Sequence, residues 1–229
     1  MFFTAGCILL LAVGSSYAQQ IPKTVFSEWK SKVDPAVERG LQFLAQSQER
    51  NGSFPENYGT STGIPSLVGM AFLSKGHMPT EGPYAANINR CIDYVLQHQQ
   101  RTGLFVAGHA GSGPMYAHNI TTLFLSEVSG MVDPERQKRI KDSLALALQL
   151  ILRAQRVPKS EKNQGGWRYH PGSRDSDTSC SGWALMALRS AKLNGAAVPD
   201  SAIEDAVAYL YRHYDDRLGS FGYSDRTSH

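Results

Sequence analysis

The sequence predicts an all-α protein, an (α/α) toroid in which helical hairpins form an inner ring of helices wrapped by an outer ring. Two observations predict this class. An amphipathic helical segment recurs four times, and a more apolar segment that ends at glycine lies between successive copies. No stretch of comparable length has the apolar–polar alternation of a strand. The repeats supply three full hairpins and one further outer helix.

The four amphipathic segments are the expected outer helices. Their aligned positions recur at intervals of 51 to 59 residues and are Phe43, Tyr94, Leu150 and Tyr209. Each copy carries apolar residues at helical spacing. In the second copy these are Ile88, Cys91, Ile92, Val95 and Leu96, and in the fourth they are Ile203, Ala206, Val207, Leu210 and Tyr211.

A glycine followed by an aromatic residue comes after each outer helix. The four pairs are Gly52 and Phe54, Gly103 and Phe105, Gly165 or Gly166 with Trp167, and Gly219 and Phe221. Glycine supplies the backbone freedom needed past a helix end, and the aromatic ring can pack back over the turn. We therefore expect all four aromatic rings to lie in the core.

The expected inner helices are apolar on most sides. They are "GIPSLVGMAFLSKG", "YAHNITTLFLSEVSG" and "DTSCSGWALMALRSAKLNG", and each stops at a glycine. Polar residues that can cap backbone N–H groups stand near their starts. A helix that is apolar nearly all round belongs inside, so these segments predict the inner ring.

Composition and charge exclude some classes of partner. The 229 residues are 41% hydrophobic and 19% charged, an ordinary globular balance that favours one domain. The formal net charge of +3 is spread without a basic run, so no nucleic-acid partner is expected. No motif indicates a cofactor, and we predict none.

The N-terminus is typical of an export signal. An apolar stretch from Ala5 to Gly14 precedes Ser16-Tyr17-Ala18, which carries small residues where a signal peptidase cuts. The stretch is too short to span a membrane, and no later segment qualifies as a transmembrane helix. We therefore predict a signal peptide at 1–18, an N-terminal segment at 19–36, a repeat domain at 37–229 and an exported protein.

Cysteine is too sparse for a fold built on disulfides. Beyond Cys7, which lies in the predicted signal, the chain has only Cys91 and Cys180. Both stand in or beside apolar helical segments. Two buried free thiols are expected rather than one bridge between them.

The outer-helix pattern "RGLQFLAQSQERNGSF" and the segment "QGGWRY" resemble the repeats of squalene-hopene cyclases and of protein prenyltransferase β subunits, which share the (α/α) toroid. The resemblance covers roughly residues 37 to 229. It implies an incomplete ring, because relatives close theirs with more hairpins than this sequence supplies. Uncharacterised exported repeat proteins of this group look most similar, through "GIPSLVGMAFL" and "GGWRYHPGSRDSDTS". Fold analogy alone does not assign a reaction.

The resemblance implies two sites that this sequence matches only in part. Cyclases of the group use an Asp-x-Asp-Asp motif, and here Asp177 matches the acid while Thr178 stands where the last Asp would be. Prenyltransferases hold zinc with an Asp, a Cys two residues later and a distant His. Here Ser179 occupies the cysteine position, Cys180 is one place out of register and only His229 could serve as the histidine. No metal site is predicted.

The starts of the inner helices predict one shared site. In a ring of parallel inner helices all these starts lie at the same end, so polar residues far apart in sequence should line one mouth. The expected binding residues are Thr62, Tyr116, His118, Asp175 and Trp183, with Asp177 as the candidate catalytic residue. A structural interpretation stands beside this one: Asp175 and Asp177 cap a helix, His118 is a hydrogen-bonded core residue and His109 lies in a solvated loop.

Two functions follow as hypotheses. The first is an exported, non-catalytic toroid whose mouth or rim binds a polypeptide, a glycan or a lipid. The second is a cyclase-like enzyme that uses Asp177 as a general acid on an apolar or carbohydrate substrate. An open ring also exposes apolar inner faces, which favours self-association or a partner that closes the ring.

Overall fold

The computed structural model describes residues 23–55, 61–108 and 113–228. Their secondary structure is almost entirely helical, so the predicted all-α class is confirmed. Its elements are helices α1 (Lys23–Ser47), α2 (Gly63–Ser74), α3 (Ala85–Gln97), α4 (Met115–Val128), α5 (Pro134–Gln155), α6 (Thr178–Leu193) and α7 (Asp200–Arg212), a 3₁₀ turn (Glu161–Asn163), and strands β1 (Tyr214–Asp215) and β2 (Ser220–Phe221). The two strands form one antiparallel hairpin.

The chain divides into two compact units, Met1–Gly40 and Leu41–His229. Within the described part of the first unit the backbone is the long helix α1, which begins at Lys23 and contains Pro35. The helix expected from Val37 is therefore the continuation of a helix that starts earlier. The predicted signal peptide at 1–18 lies outside the described residues. No helix in the described ranges is both long and apolar enough to cross a bilayer.

The second unit has the expected alternation of inner and outer helices. Helix α4 packs against both α2 and α6. Among the outer helices, α3 packs on α2, α5 on α4 and α7 on α6. Helix α4 is buried on nearly all sides, as the apolar composition of the inner segments predicted. Close approach is made possible by small residues, since Gly69 of α2 lies directly against the ring of Phe124.

The outer helices bury one face, as their periodicity predicted, although not always the predicted one. In α3 the side chains of Ile88, Cys91, Ile92 and Val95 are fully buried. In α7 the buried face consists of Ala202, Ala206 and Tyr209, whereas Val207 and Tyr211, expected in the core, are exposed. In the first copy Phe43 is exposed and Leu41 is buried instead. In these two copies apolar residues lie on more than one face of the helix, and tertiary packing decides which face is buried.

Three of the predicted glycine–aromatic turns share one construction. A glutamine at the end of an outer helix donates its Nε2 hydrogens to the carbonyl of the turn glycine and to a carbonyl of the next outer helix. The bonds join Gln48 to Gly52 (3.4 Å) and Asn87 (3.1 Å), Gln99 to Gly103 (3.1 Å) and Ser143 (2.8 Å), and Gln155 to Gly165 (3.0 Å) and Ala202 (2.8 Å). We call these the glutamine turns. Their aromatic rings, Phe54, Phe105 and Trp167, are buried, whereas Phe221 in the fourth turn is exposed, so the core prediction is wrong for that ring.

Both cysteines of the described chain are free and buried, as expected. Cys91 lies in the core of α3, and burial raises the pKa of its thiol to about 12. It accepts a hydrogen bond from the Nε2 of Gln48, the glutamine of the first turn. The thiol is therefore a neutral core group and not a reactive one.

Candidate functional site

The three inner helices run parallel, so their starts lie at one end of the unit. At that end a Cβ added at Gly63, the first residue of α2, would lie 3.4 Å from the Cα of Ala117 in the first turn of α4. At the opposite end Asn194, which follows α6, donates to the Ser126 carbonyl of α4 (3.1 Å). Residues far apart in sequence therefore meet where the helices begin.

Asp177 caps helix α6 and is fully buried. Its Oδ1 accepts hydrogen bonds from the Cys180 backbone N–H (2.8 Å) and from the Ser179 hydroxyl (2.8 Å). The Tyr116 hydroxyl of α4 reaches the same oxygen at 3.5 Å. Its Oδ2 has no hydrogen-bond partner and faces Nη1 of Arg168 at 3.7 Å. Asp177 thus joins the start of α6 to that of α4 and leaves one carboxylate oxygen for the arginine.

Arg168 lies at the centre of the site. Its guanidinium carbon is 4.5 Å from the ring centroid of Tyr169 and 5.4 Å from that of Tyr223. Its Nε lies 3.4 Å from the Asp175 carboxylate. Burial alone would lower the pKa of Arg168, but the neighbouring Tyr223 and Asp177 outweigh it and the pKa is raised. The guanidinium is therefore a permanent cation held on aromatic faces.

The tyrosines are linked around this cation. The rings of Tyr116 and Tyr169 are 5.7 Å apart, and the hydroxyls of Tyr169 and Tyr223 are hydrogen-bonded to each other. Burial is the main cause that raises the pKa of both Tyr116 and Tyr223, with the Asp177 charge adding to it. These phenols stay neutral at physiological pH. We call Tyr116, Arg168, Tyr169 and Tyr223 the tyrosine rim.

Backbone groups of Tyr169 and of Gly222 and Tyr223 tie the tyrosine rim to the starts of two helices. The Tyr169 carbonyl accepts a hydrogen bond from the Met115 N–H at the start of α4 (3.1 Å). The Tyr223 carbonyl accepts one from the Thr178 N–H at the start of α6 (2.9 Å), and the Thr178 hydroxyl donates to the Gly222 carbonyl (2.9 Å). The rim is thus tied to two helix starts whose N–H groups would otherwise lack partners.

The other predicted site residues differ in their exposure and in what they contact. Asp175 is mainly exposed beside Arg168. Thr62 is fully buried, and its hydroxyl has no hydrogen-bond partner. Trp183 is half-buried and packs on the apolar core around α6. His109 lies outside the described residues.

His118 is turned away from the rim into the core. Its Nδ1 accepts a hydrogen bond from the Phe105 N–H (3.2 Å), and its Nε2 lies 3.3 Å from the Ala147 carbonyl, so the proton is on Nε2. Burial lowers its pKa to about 4. The residue is a neutral link between the second glutamine turn and helix α5.

Sequence reasoning missed the residues that dominate the rim, namely Arg168, Tyr169 and Tyr223. A signal existed for Arg168, because it follows directly on Trp167, whose ring was expected in the core. The same alternation places Tyr169 on the side of Trp167 and gave no signal for it. Trp167 pairs with Asp177 in an isolated β-bridge, and extended backbone sends alternate side chains to opposite sides. With Trp167 buried, Arg168 must point outward. No local pattern marks Tyr223, which reaches the rim from 45 residues beyond Thr178.

Metal binding finds no support in the chemistry of this site. Cys180 is buried, and burial together with the Asp177 charge raises its pKa to about 12. Its thiol donates a hydrogen bond to the Arg168 carbonyl (3.2 Å). Within residues 23–55, 61–108 and 113–228 no three His, Cys, Asp or Glu side chains are grouped to hold a metal ion.

Comparison with known proteins gives a fold relationship only. The sequence matches no family model, and it is not significantly similar to curated proteins. Among solved structures it is similar to a mutant of the family 10 polysaccharide lyase from Cellvibrio cellulosa in complex with trigalacturonic acid, with a TM-score of 0.53, 14% identity, and 77% of this chain and 67% of that chain covered. A second structure of that lyase matches with a TM-score of 0.50, 12% identity, and 79% and 67% covered.

The resemblance to squalene-hopene cyclases and prenyltransferase β subunits is therefore wrong. The two solved structures described above are family 10 polysaccharide lyases. The pattern that suggested the cyclase group is the glutamine, glycine and aromatic residue of each turn. The structure gives these residues a local role in joining successive outer helices, which any helical hairpin array could use. Because the family assignment is wrong, it no longer supports a cyclase motif at Asp177.

Proposed function

We propose that the tyrosine rim is a non-catalytic binding site for an uncharged oligosaccharide. The observation that carries this proposal is the Arg168 guanidinium held over the rings of Tyr169 and Tyr223. Tyrosine rings present an apolar face for the C–H groups of a sugar and a hydroxyl for its polar groups. A row of three linked tyrosines suits an extended chain of sugar rings.

The hydrogen-bonding capacity of the rim supports a polar ligand. A guanidinium has five N–H donors, and within the described chain that of Arg168 makes only the two long contacts to Asp175 and Asp177. Asp175 is exposed and offers carboxylate oxygens as acceptors. Donors and acceptors therefore stand side by side next to aromatic faces, which is how proteins hold hydroxyl-rich ligands.

Charge favours an uncharged sugar over an acidic one. The Arg168 guanidinium already faces two carboxylates, Asp175 and Asp177. An acidic ligand would have to approach Arg168 beside these two negative charges, which weakens its attraction to the guanidinium. The structurally similar lyase was solved in complex with trigalacturonic acid, which is an oligosaccharide. This similarity supports a sugar ligand for the present chain, but it does not support an acidic one.

Protonation states favour binding over catalysis. The raised pKa values keep Tyr116, Tyr223 and Cys180 protonated near neutral pH, so none of them is a ready base. Asp177 is fully buried, and one of its oxygens is already taken by hydrogen bonds from the start of α6. Its carboxylate holds Arg168 and Tyr116 in place and has no open path to a substrate.

Isothermal titration of the purified chain with cellohexaose, xylohexaose, mannohexaose and trigalacturonic acid tests the proposal. At least one neutral hexasaccharide is expected to bind, and trigalacturonic acid to bind at least ten-fold more weakly. Tyr223→Ala should weaken binding at least ten-fold, because it removes one face of the rim. Tyr211→Ala, an exposed tyrosine on α7, is the matched control and should change nothing.

Two results would contradict the proposal. One is that none of the four sugars binds. The other is binding that survives Tyr223→Ala unchanged, or that is strongest for trigalacturonic acid. Release of new sugar products during the titration would favour the enzyme hypothesis instead.

We further propose that the protein acts outside the cytoplasm after cleavage behind Ala18. The apolar stretch and the small residues Ser16 and Ala18 support this proposal. The intact mass of the protein recovered from its native host is expected to lack residues 1–18. A mass that retains them would contradict export by this signal.

A further inference from the structure

The ends of the inner helices opposite the tyrosine rim form an apolar groove. It has a volume of about 500 Å³ and is lined by the last turns of α2, α4 and α6 and by the residues just after α4. We call it the C-terminal groove. Its apolar lining consists of Met70, Leu73, Leu123, Met131, Met186 and Leu193.

Several of these side chains are open to solvent. Leu193 is 75% exposed, Met186 45% and Met131 36%. A contiguous exposed apolar surface of this kind marks an interaction site more often than an isolated exposed residue does. Methionine is flexible and polarisable, so it adapts to a partner surface at low cost.

Two opposite charges border the groove. Glu127 lies on the last turn of α4 and Arg189 on the neighbouring helix α6, and both line the same groove. Both side chains are exposed, and neither has an ion-pair partner within the described chain. The surface thus carries an apolar centre with one free acid and one free base beside it.

We infer that two copies of this chain associate face to face through the C-terminal groove, with the Glu127 carboxylate of each copy opposite the Arg189 guanidinium of the other. A contact about a two-fold axis brings the same patch of both copies together, so the patch must complement itself. An apolar patch with charges of one sign would repel its own image. One acid and one base meet their opposites instead, which is why a second copy fits this groove.

Sedimentation velocity over a range of concentrations, on the wild-type chain and on charge-reversal variants, tests this arrangement. Wild type is expected to dimerise, and Glu127→Arg or Arg189→Glu alone should weaken the dimer at least ten-fold, because each variant places like charges opposite each other. An equal mixture of the two variants should form a heterodimer, since every pair is then opposite in sign. The double variant should dimerise as wild type does.

Apolar contact is tested separately by Leu193→Ser, which should weaken association at least ten-fold. Leu218→Ser is the matched control, because Leu218 is also exposed, at 63%, but does not line the groove. Both residues are exposed, so thermal unfolding, measured at a concentration where wild type is monomeric, should be the same for all variants. Sugar binding at the opposite end of the helices should be unchanged, which separates this test from that of the tyrosine rim.

The inference is overturned if wild type stays monomeric at every concentration. It is also overturned if the mixture of charge variants associates no better than either variant alone. Loss of the dimer in Leu218→Ser but not in Leu193→Ser would place the contact elsewhere.

Discussion

The three glutamine turns and the fourth turn carry related sequences in different surroundings. In each glutamine turn a carbonyl of the next outer helix lies directly over the turn glycine, where a side chain would overlap it. In the fourth turn a Cβ added at Gly219 would meet only the Tyr214 hydroxyl, at 4.0 Å, among the described residues, and Phe221 is 53% exposed. In this chain the turn glycine and the aromatic residue contribute to tertiary packing only where the next hairpin packs over them.

The inner helices add to this difference. The N–H of the aromatic residue donates to a side chain of the following inner helix in two glutamine turns, to His118 for Phe105 (3.2 Å) and to Ser181 for Trp167 (2.8 Å). His118 and Ser181 are both the fourth residue of their helix. The turn, the next outer helix and the next inner helix therefore form one linked unit, which the fourth turn lacks in the described chain.

Replacing the turn glycine should break this comparison most strongly. Gly165→Ala requires a left-handed backbone at φ 87° and places a methyl group against the Asp205 carbonyl of α7. We expect a loss of more than about 3 kcal/mol in the free energy of unfolding. Gly219→Ala, at φ 63° and without a close neighbour, should cost only about 1 kcal/mol. Chemical denaturation of both variants measures the difference. Equal losses in the free energy of unfolding would show that packing of the next outer helix over the glycine does not matter.

The second glutamine turn should lose stability as the pH falls, whereas the third should not, because only the second is bonded to a histidine. His118 has its folded pKa lowered to about 4 by burial, from an ordinary value of 6.5. The unfolded chain therefore takes up the proton first as the pH falls. The stability from neutral His118 is fully present above about pH 6.5 and is lost towards pH 4, by up to roughly 3 kcal/mol.

Denaturation curves at pH 7 and pH 5 measure this effect in wild type and in His118→Gln. The variant is expected to lose much less stability between these two pH values than wild type does, because glutamine does not titrate. Ser181, the corresponding residue of the third turn, does not titrate either. An identical loss in both proteins would mean that His118 is not the group responsible.

Removal of the bridging glutamine should have the smallest effect of the three. Gln155→Ala leaves the carbonyls of Gly165 and Ala202 without their donor, and each lies at a covered turn. We expect a loss of about 2 kcal/mol. Gln149→Ala on the exposed face of the same helix is the control and should cost less than about 0.5 kcal/mol. Thermal or chemical unfolding is the measurement, and a loss no larger than that of the control would remove Gln155 from the linked unit.

Much of the fold was predictable because it is written in local patterns. Apolar residues at intervals of three and four specify a helix and its buried face, as Ile88, Cys91, Ile92 and Val95 show in α3. The burial of α4 followed from its apolar composition, and the cap at Asp177 followed from an acidic residue before a helical run. These features depend on neighbours within about one helical turn.

The family assignment failed for a related reason. Glutamine, glycine and aromatic residues at each turn reflect how one outer helix connects to the next, which is a requirement of local geometry. Such a pattern identifies a helical array without identifying its ancestry or its reaction. The catalytic role predicted for Asp177 rested on that family pattern and stays a prediction. The structure shows that its oxygens accept hydrogen bonds from the start of α6 and face Arg168.

The sequence by itself determined the helices, their alternation between inside and outside, the positions of the turns and the cap of α6. Only the tertiary structure decided that Tyr116, Arg168, Tyr169 and Tyr223 share one surface, that His118 turns into the core, and that Val207 and Tyr211 stay outside. The physical reason is the range of the interactions. Helix periodicity and capping act between residues a few positions apart. The hydrogen bonds of the tyrosine rim join residues up to 63 positions apart and form only when the parallel inner helices align their starts.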